Sequence, residues 1–597
     1  MKIIKTQLMT AAAVAGLVGA TGAQAATPNV YPAASLHGNG ASSVAVVLPK
    51  TLNCLGGTNN PLGINNNTVQ AVPDHNYVPV SPTTGNPAYN CATQSIQSNL
   101  EGEYVSTGSG AGVNNMINYV ATNAGGATNN PFMSGLVDTE TWNNVHFAFS
   151  ENPLTSANLT TFNAVEDGVD GILGNADDVG LKGLIQIPAV VTPIAIAYAP
   201  VYGKHKTATG IDLLALNLKF PRADGTGGLR LKKTTYCGIM NGTITNWNDA
   251  ALKADNGGQS LMSPLDNATR WSTTGVPIVL VGRSDSSGGT TLFTRHMAAV
   301  CGGDFGTTGG VSTLPASRRD GAAVYDANTG ALLSGTVTAG EFGISAGSSG
   351  VANAVNMTIA DPAAVGDYTF GGRMAYLGAD WVKPALTDPA YTIHSADLQE
   401  GTGTAFKAPT AANATLSFKG ILPPESASTG KYLPTAGCNS TTAGCRANPL
   451  SWVQTTAATE SLANPLKGYP IVGTTNIITY MCYVTPAVRS TLSAFLALNY
   501  GKLTKDSAGL PVPAKLATST AKDAAGLPLG IFARNGLAPL PGQWVTAINE
   551  TFLTKTTSGS NPSALNLWLQ NKLPVKTADH AGLLSNPGCT AGKGAAS

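Results

Sequence analysis

Residues 277–300 read Pro277-Ile278-Val279-Leu280-Val281-Gly282-Arg283-Ser284-Asp285-Ser286-Ser287-Gly288-Gly289-Thr290-Thr291-Leu292-Phe293-Thr294-Arg295-His296-Met297-Ala298-Ala299-Val300. Pro277 to Val281 is a short apolar run with the pattern of a buried strand. Leu292, Phe293, Met297 and Val300 recur at spacings of three and four, which predicts a helix. Between them lies a loop of Gly, Ser and Thr carrying one arginine and one aspartate. A strand that turns into a helix through such a loop is half of a βαβ unit. The start of the helix presents free backbone N–H groups and the positive end of the helix dipole, which suit an oxyanion. Glycine lets the backbone come close, hydroxyls add donors, and Arg283 supplies a full charge in a planar fork. Asp285, two residues on, is placed to orient that guanidinium. Capping a helix explains the Ser and the glycines, but not the Arg-x-Asp pair.

Two further loops share this chemistry. Gly38-Asn39-Gly40-Ala41-Ser42-Ser43 precedes the apolar Val44–Leu48. Thr107-Gly108-Ser109-Gly110-Ala111-Gly112 runs into a helical pattern at Val113, Met116, Ile117 and Val120. Leu184–Val191 reads as another strand. Strands alternating with helices predict an α/β fold. Residues 55–97 and 423–447 are dense in Gly, Pro, Asn, Ser and Thr and read as connections. No internal repeat is visible.

Composition narrows the function classes. The 597 residues include 34 basic and 33 acidic side chains, for a formal net charge of +1. A nucleic-acid protein would show a basic excess, so none is expected as a partner. Charged residues make up only 11%, less than half the usual share of about 25%. Disorder does not account for this, because hydrophobic residues reach 43% and net charge is near zero. Lys2 and Lys5, the apolar Leu8–Val18 and the A-x-A site Ala23-Gln24-Ala25 read as a cleavable signal peptide over residues 1–25. No Cys follows the cut, so no lipid anchor is expected, and a periplasmic or extracellular protein is. Cysteines stand at 54, 91, 237, 301, 438, 445, 482 and 589. An even number in an oxidising compartment predicts disulfides. Neighbour pairing suggests Cys54–Cys91 and Cys438–Cys445. The spacings do not match zinc sites, and no metal or cofactor is expected.

With these residues in view the chain becomes recognisable. Gly282–Thr294 resembles the R-S-D-x-S-G-T-T signature of the PstS-type phosphate-binding proteins of ABC transporters. Cys237-Gly238-Ile239-Met240-Asn241-Gly242-Thr243-Ile244-Thr245-Asn246-Trp247-Asn248-Asp249 is similar to that family's G-x-I-T-x-W-N-D segment. The first two loops resemble its G-A-G-A-T-F and Y-x-G-x-G-S-S-G-G segments. Tyr469-Pro470-Ile471-Val472-Gly473-Thr474-Thr475 resembles its returning W-P-I-x-x-T-T strand, and Leu537-Ala538-Pro539-Leu540-Pro541 its Y-A-P-L-P turn. The matches keep the family's order, with large insertions between them.

The resemblance implies an α/β, two-lobed type II periplasmic-binding-protein fold with phosphate in the cleft. Lobe one would combine residues 26–198 and 469–597, and lobe two residues 199–468. Crossover strands are expected at Pro193–Tyr198 and Ile471–Met481. It implies ligand contacts from Ser42, Ser43, Ser109, Arg283, Ser287, Gly288 and Thr290, with Asp285 in support. Gly289 is an extra residue in that loop. The family's proton-accepting carboxylate falls on Glu151, within Ala148-Phe149-Ser150-Glu151-Asn152-Pro153-Leu154, where the family has Asp. Partners would be inorganic phosphate and the membrane subunits of an ABC permease, and the protein a monomer without catalysis.

Two further signals, one for an enzyme and one for a bound Ca²⁺, compete with this. Gly343-Ile344-Ser345-Ala346-Gly347 fits the G-x-S-x-G elbow of hydrolases, with Asp361, Asp367, Asp380, His394 and His580 after it. No apolar strand precedes the Ser clearly, and a Gly/Ser-rich chain produces such a match by chance. Asp167, Asp170, Asp177 and Asp178 form an acidic Gly-rich turn whose spacing is not that of an EF-hand. The alternatives kept are a secreted phosphatase or other hydrolase, and an extracellular scaffold.

Overall fold

This computed structural model describes residues 36–55, 102–119, 145–166, 183–220, 228–305, 323–383, 392–427, 441–453, 462–501 and 528–553, together with a few shorter stretches. The signal segment, the Asp167–Asp178 turn, Cys91, Cys438, Cys589 and His580 lie outside the described residues.

Eight strands carry the architecture. They are β1 (Leu36–Gly40), β2 (Gly102–Ser106), β3 (Phe147–Ser150), β4 (Leu184–Tyr198), β5 (Val279–Arg283), β6 (Phe342–Ser345), β7 (Arg373–Gly378) and β8 (Val472–Tyr480). Across the main sheet they run β6-β5-β7-β4-β8-β3-β1-β2, with Val324–Tyr325 and Leu332–Ser334 beyond β6. β4 and β8 are the antiparallel spine, and every residue of both is buried. Strands covered on both faces need apolar side chains throughout, which is why Leu184–Tyr198 shows no alternation. The expected strand from Leu184 and the crossover segment from Pro193 are therefore one continuous 15-residue strand.

Outward from this spine each half repeats one plan. The first strand lies between the second and the third, as β2-β1-β3 on one side and β6-β5-β7 on the other, all parallel within the half. The repeat lives in topology, not in residues, which is why the sequence shows none. In such doubly wound sheets ligands bind beyond the carboxyl ends of the strands. All three loops begin there, after Gly40, Ser106 and Arg283. The loop after Gly40 leads into a 3-10 turn at Ser42–Val44 and a helix at Val47–Leu55, and the other two into α1 (Ser109–Asn118) and α2 (Gly288–Val300); a fourth helix start, α3 (Gly347–Val355), follows β6.

A second core cluster joins the halves: Ala45 and Val46 pack with Val281, Val351 and Trp381. The W-N-D segment places Trp247 in the core, where its indole N–H donates to the Gly372 carbonyl at 3.2 Å, while Asp249 caps the next helix. Cys237–Cys301 is a disulfide, and Cys54, Cys445 and Cys482 are also bonded. No described cysteine is free. Residues 423–447 are more than a connection. Arg446 is buried, pairs with Glu550 at 2.9 Å and donates to the Pro424 carbonyl.

Candidate anion-binding site

The loop at 283–291 is held by its own sequence. Arg283 ends β5, and Ser287 caps α2 by accepting the Thr290 N–H at 3.2 Å. That use as a cap leaves the Ser287 O–H proton uncommitted. The Arg283 guanidinium forks onto Asp285, Nε to Oδ1 at 2.7 Å and Nη2 to Oδ2 at 2.5 Å. Asp285 is fixed in turn by the Gly347 N–H at 3.0 Å. Burial alone would lower the Arg283 pKa, but the Asp285 charge and hydrogen bonds outweigh it and raise it. Burial opposes the Asp285 carboxylate too, and Arg283 again wins, holding its pKa below the ordinary value. Nη1, the nitrogen not used by Asp285, donates to Ser42 Oγ at 2.7 Å and Ser348 Oγ at 3.0 Å.

The other half of the sheet brings up its own hydroxyls. Gly40 has φ +118°, and a Cβ there would overlap the Phe149 carbonyl, so the turn into Ser42 and Ser43 requires glycine. Trp381 donates its indole N–H to the Ser42 carbonyl at 3.1 Å, and Tyr104 its O–H to the Ala41 carbonyl at 2.7 Å. Ser109 starts α1, whose Gly110 N–H reaches across to the Ser286 carbonyl at 3.2 Å. Glu151 follows β3 and is fully buried. Its carboxylate accepts the hydroxyls of Ser43, Ser109 (2.5 Å) and Thr475 (2.9 Å). Burial raises the Glu151 pKa; the Ser109 and Thr475 hydrogen bonds and the Arg283 charge pull the other way without cancelling it.

The structure thus brings Ser42, Ser43, Ser109, Glu151, Arg283, Asp285, Ser287 and Gly288 to one buried place. Thr290 differs. Its hydroxyl pairs with the Tyr376 OH at 2.7 Å, and Tyr376 also accepts the Arg283 backbone N–H at 3.1 Å. Either oxygen can be the donor of that pair, so the Thr290 hydroxyl is anchored to Tyr376 while its own proton is available to a ligand when Tyr376 donates. Four groups here were not among the expected anion contacts: Ser348, Thr475, Thr192 and Asp380, the last named above only as an acid for the hydrolase elbow. Gly347-Ser348-Ser349-Gly350 follows a strand just as the other three loops do, and that signal was hidden under the G-x-S-x-G match. Ser345 itself turns away, donating to the Tyr325 carbonyl at 3.0 Å. Thr475 faces Val190 at the edge of a β-bulge, and the ladder resumes only at Asn476 opposite Pro188, which cannot donate to it. Thr192 lies 2.5 Å from Thr475 Oγ1. Because Thr475 spends its proton on Glu151, Thr192 must be the donor of that pair.

Asp380 is the repeat partner of Glu151, since each closely follows the third strand of its half. It is fully buried, and neither carboxyl oxygen has a hydrogen-bond partner of normal geometry. Burial first, and the Glu151 charge after it, push its pKa well above the usual carboxylate value. The neutral form is thus favoured in the fold, so this group costs stability as pH rises from about 4 toward its folded pKa. Asp380→Asn should raise the melting temperature by about 2–4 °C at neutral pH. The gain should shrink toward acid pH in scanning calorimetry; a gain independent of pH would contradict an ionisable origin.

Among the described residues no group of three or more His, Cys, Asp or Glu side chains is arranged to hold a metal ion. No described helix is long and apolar enough to cross a membrane. The site is built from serine and threonine hydroxyls, helix starts and one ion-paired arginine.

Comparison with known families decides the wider relationship. The PBP superfamily domain matches residues 83–432. The chain belongs to the PBP superfamily. It is similar to a phosphate-binding protein of an unknown prokaryotic organism, 27% identical over 424 residues, covering 70% of this chain and 82% of that protein. It is also similar to alkaline phosphatase L of Pseudomonas aeruginosa, 26% identical over 454 residues, with 76% and 82% covered. Among solved structures, a high-affinity periplasmic phosphate-binding protein bound with phosphate is 22% identical, with a TM-score of 0.48 over 90% of this chain and 97% of that one. In this superfamily frame the fold is α/β and two-lobed, and the β4–β8 spine joins the halves.

Proposed function

We propose that this protein captures inorganic phosphate between the two halves of the sheet, outside the cytoplasmic membrane, for uptake through an ABC permease. Lobe one would be residues 26–198 with 469–597, and lobe two residues 199–468. The observation that carries the reading is the Arg283–Asp285 pair, whose buried guanidinium turns Nη1, the nitrogen not used by Asp285, toward Ser42 and Ser348 among the starts of four helical segments. Neutral dipoles and one partly compensated cation are suited to a small dianion and need no metal. The binding contacts would be Ser42, Ser43, Ser109, Arg283, Ser287 and the Gly288 N–H, with Asp285 in support. The similarity to a protein named for phosphate binding agrees with this. Glu151 would accept the O–H of HPO₄²⁻, which sulfate lacks at neutral pH.

Calorimetric titration of the purified protein with phosphate, arsenate and sulfate tests this directly. Phosphate and arsenate should bind and sulfate should not. Equal binding of sulfate, or none of phosphate, would refute the reading.

One observation favours a second reading, a phosphomonoesterase. Glu151 accepts protons from the Ser43 and Ser109 hydroxyls, as a general base would from a nucleophile, and a relative carries the name alkaline phosphatase L. Release of nitrophenol from nitrophenyl phosphate, lost in Ser43→Ala but with phosphate still bound, would support it.

A further inference from the structure

The Glu151 carboxylate occupies the point where three hydroxyl donors of the cleft converge. Ser43 and Thr475 give their protons to one oxygen and Ser109 to the other. Gly288, the first residue of α2, is so close that a Cβ there would overlap Glu151 Oε2 and approach Ser109 Oγ. This carboxylate therefore lies against the helix start that should receive the anion.

A hydroxyl carries one proton. While Ser43, Ser109 and Thr475 spend theirs on Glu151, none of the three can donate to a phosphate oxygen. An aspartate carboxylate would end one C–C bond, about 1.5 Å, short of this point. We infer that Glu151 is a tethered competitor for the anion site, an affinity- and specificity-determining residue whose length sets how many hydroxyls a ligand must recover. The inference rests on the phosphate reading and deepens it.

Phosphate binds only by displacing the carboxylate from these hydroxyls, and the charge-assisted hydrogen bonds lost are subtracted from its affinity. A tethered group acts at an effective concentration in about the millimolar range or above, so it competes even where the free group binds weakly. Glu151→Asp keeps an acid that can accept the phosphate proton but withdraws it from the three donors. Phosphate affinity should rise by about tenfold or more, the equivalent of one or two ordinary hydrogen bonds. Glu151→Ala should leave the donors to a free carboxylate of the same chemistry.

The test is isothermal calorimetry on purified full-length wild type, Glu151→Asp and Glu151→Ala, titrated with phosphate and separately with acetate. Tighter phosphate binding by Glu151→Asp, and acetate binding by Glu151→Ala but not by wild type, support the competitor. Phosphate affinity in Glu151→Asp equal to or below that of wild type overturns it. If Glu151→Asp does not fold, the acetate titration decides, and absence of acetate binding by Glu151→Ala overturns the inference. If no form binds phosphate, the phosphate reading falls, and acetate binding by Glu151→Ala still decides the competitor separately.

Discussion

Arg283→Ala is expected to weaken phosphate binding by about 30-fold to several thousand-fold, from a loss of roughly 2–5 kcal/mol when one partner of a buried charge pair is truncated. The guanidinium is almost fully enclosed, and its Nη1 points at the hydroxyls of Ser42 and Ser348. Removing it does two things. The dianion keeps only neutral donors, and Asp285, now without its partner, becomes a bare negative charge beside the ligand. The second effect is separable. Arg283→Ala with Asp285→Asn should recover part of the loss, because the added amide carries no charge. Arg283→Lys should recover less than charge alone suggests, since an ammonium cannot make the bidentate fork to Asp285. Calorimetry on each variant, with circular dichroism to verify the fold, checks the series. A loss below about fivefold in Arg283→Ala would show that the guanidinium lies off the ligand.

What the sequence could reveal depended on how local each feature is. The strand–loop–helix around Arg283 is written in consecutive residues: an apolar run, a cap at Ser287 and a helical period from Leu292. The Arg283–Asp285 fork needs only a separation of two residues, and it was legible. The convergence of Ser42, Ser109 and Ser287 was implied by resemblance, but its cause, a 2-1-3 strand order repeated on either side of β4 and β8, leaves no residue pattern to read. Thr475 escaped because it stands beside a bulge, where the register slips between Val190 and Pro188, and a bulge is a property of the pair of strands. Asp380, read only as an acid for the hydrolase elbow, was not placed at this site for a similar reason. Only the topological equivalence of β3 and β7 shows that it stands where Glu151 stands in the other half. Thr290 is assigned to the ligand by its place in a motif, and no local pattern shows that its hydroxyl also pairs with Tyr376, 86 residues away in sequence.

The second large effect should appear in ligand choice, on changing Glu151 to Gln. Glu151 has almost no contact with solvent, and burial raises its pKa. As a carboxylate it can accept the O–H of HPO₄²⁻ but meets sulfate as one negative charge against another. Such like-charge contact in a site closed to water costs several kcal/mol. Glutamine keeps the length of the side chain and removes the charge. Sulfate affinity should therefore rise by about two orders of magnitude. Phosphate should change far less, because the lost proton acceptor is offset by the loss of a charged competitor for Ser43, Ser109 and Thr475. The phosphate-to-sulfate ratio should fall in Glu151→Gln and stay near its wild-type value in Arg283→Ala, where both anions lose the same cation. Competition calorimetry with both anions at constant ionic strength gives the ratio for each variant. If sulfate still fails to bind Glu151→Gln while phosphate binds as before, Glu151 does not face the ligand, and discrimination must come from the hydroxyl and backbone donors alone.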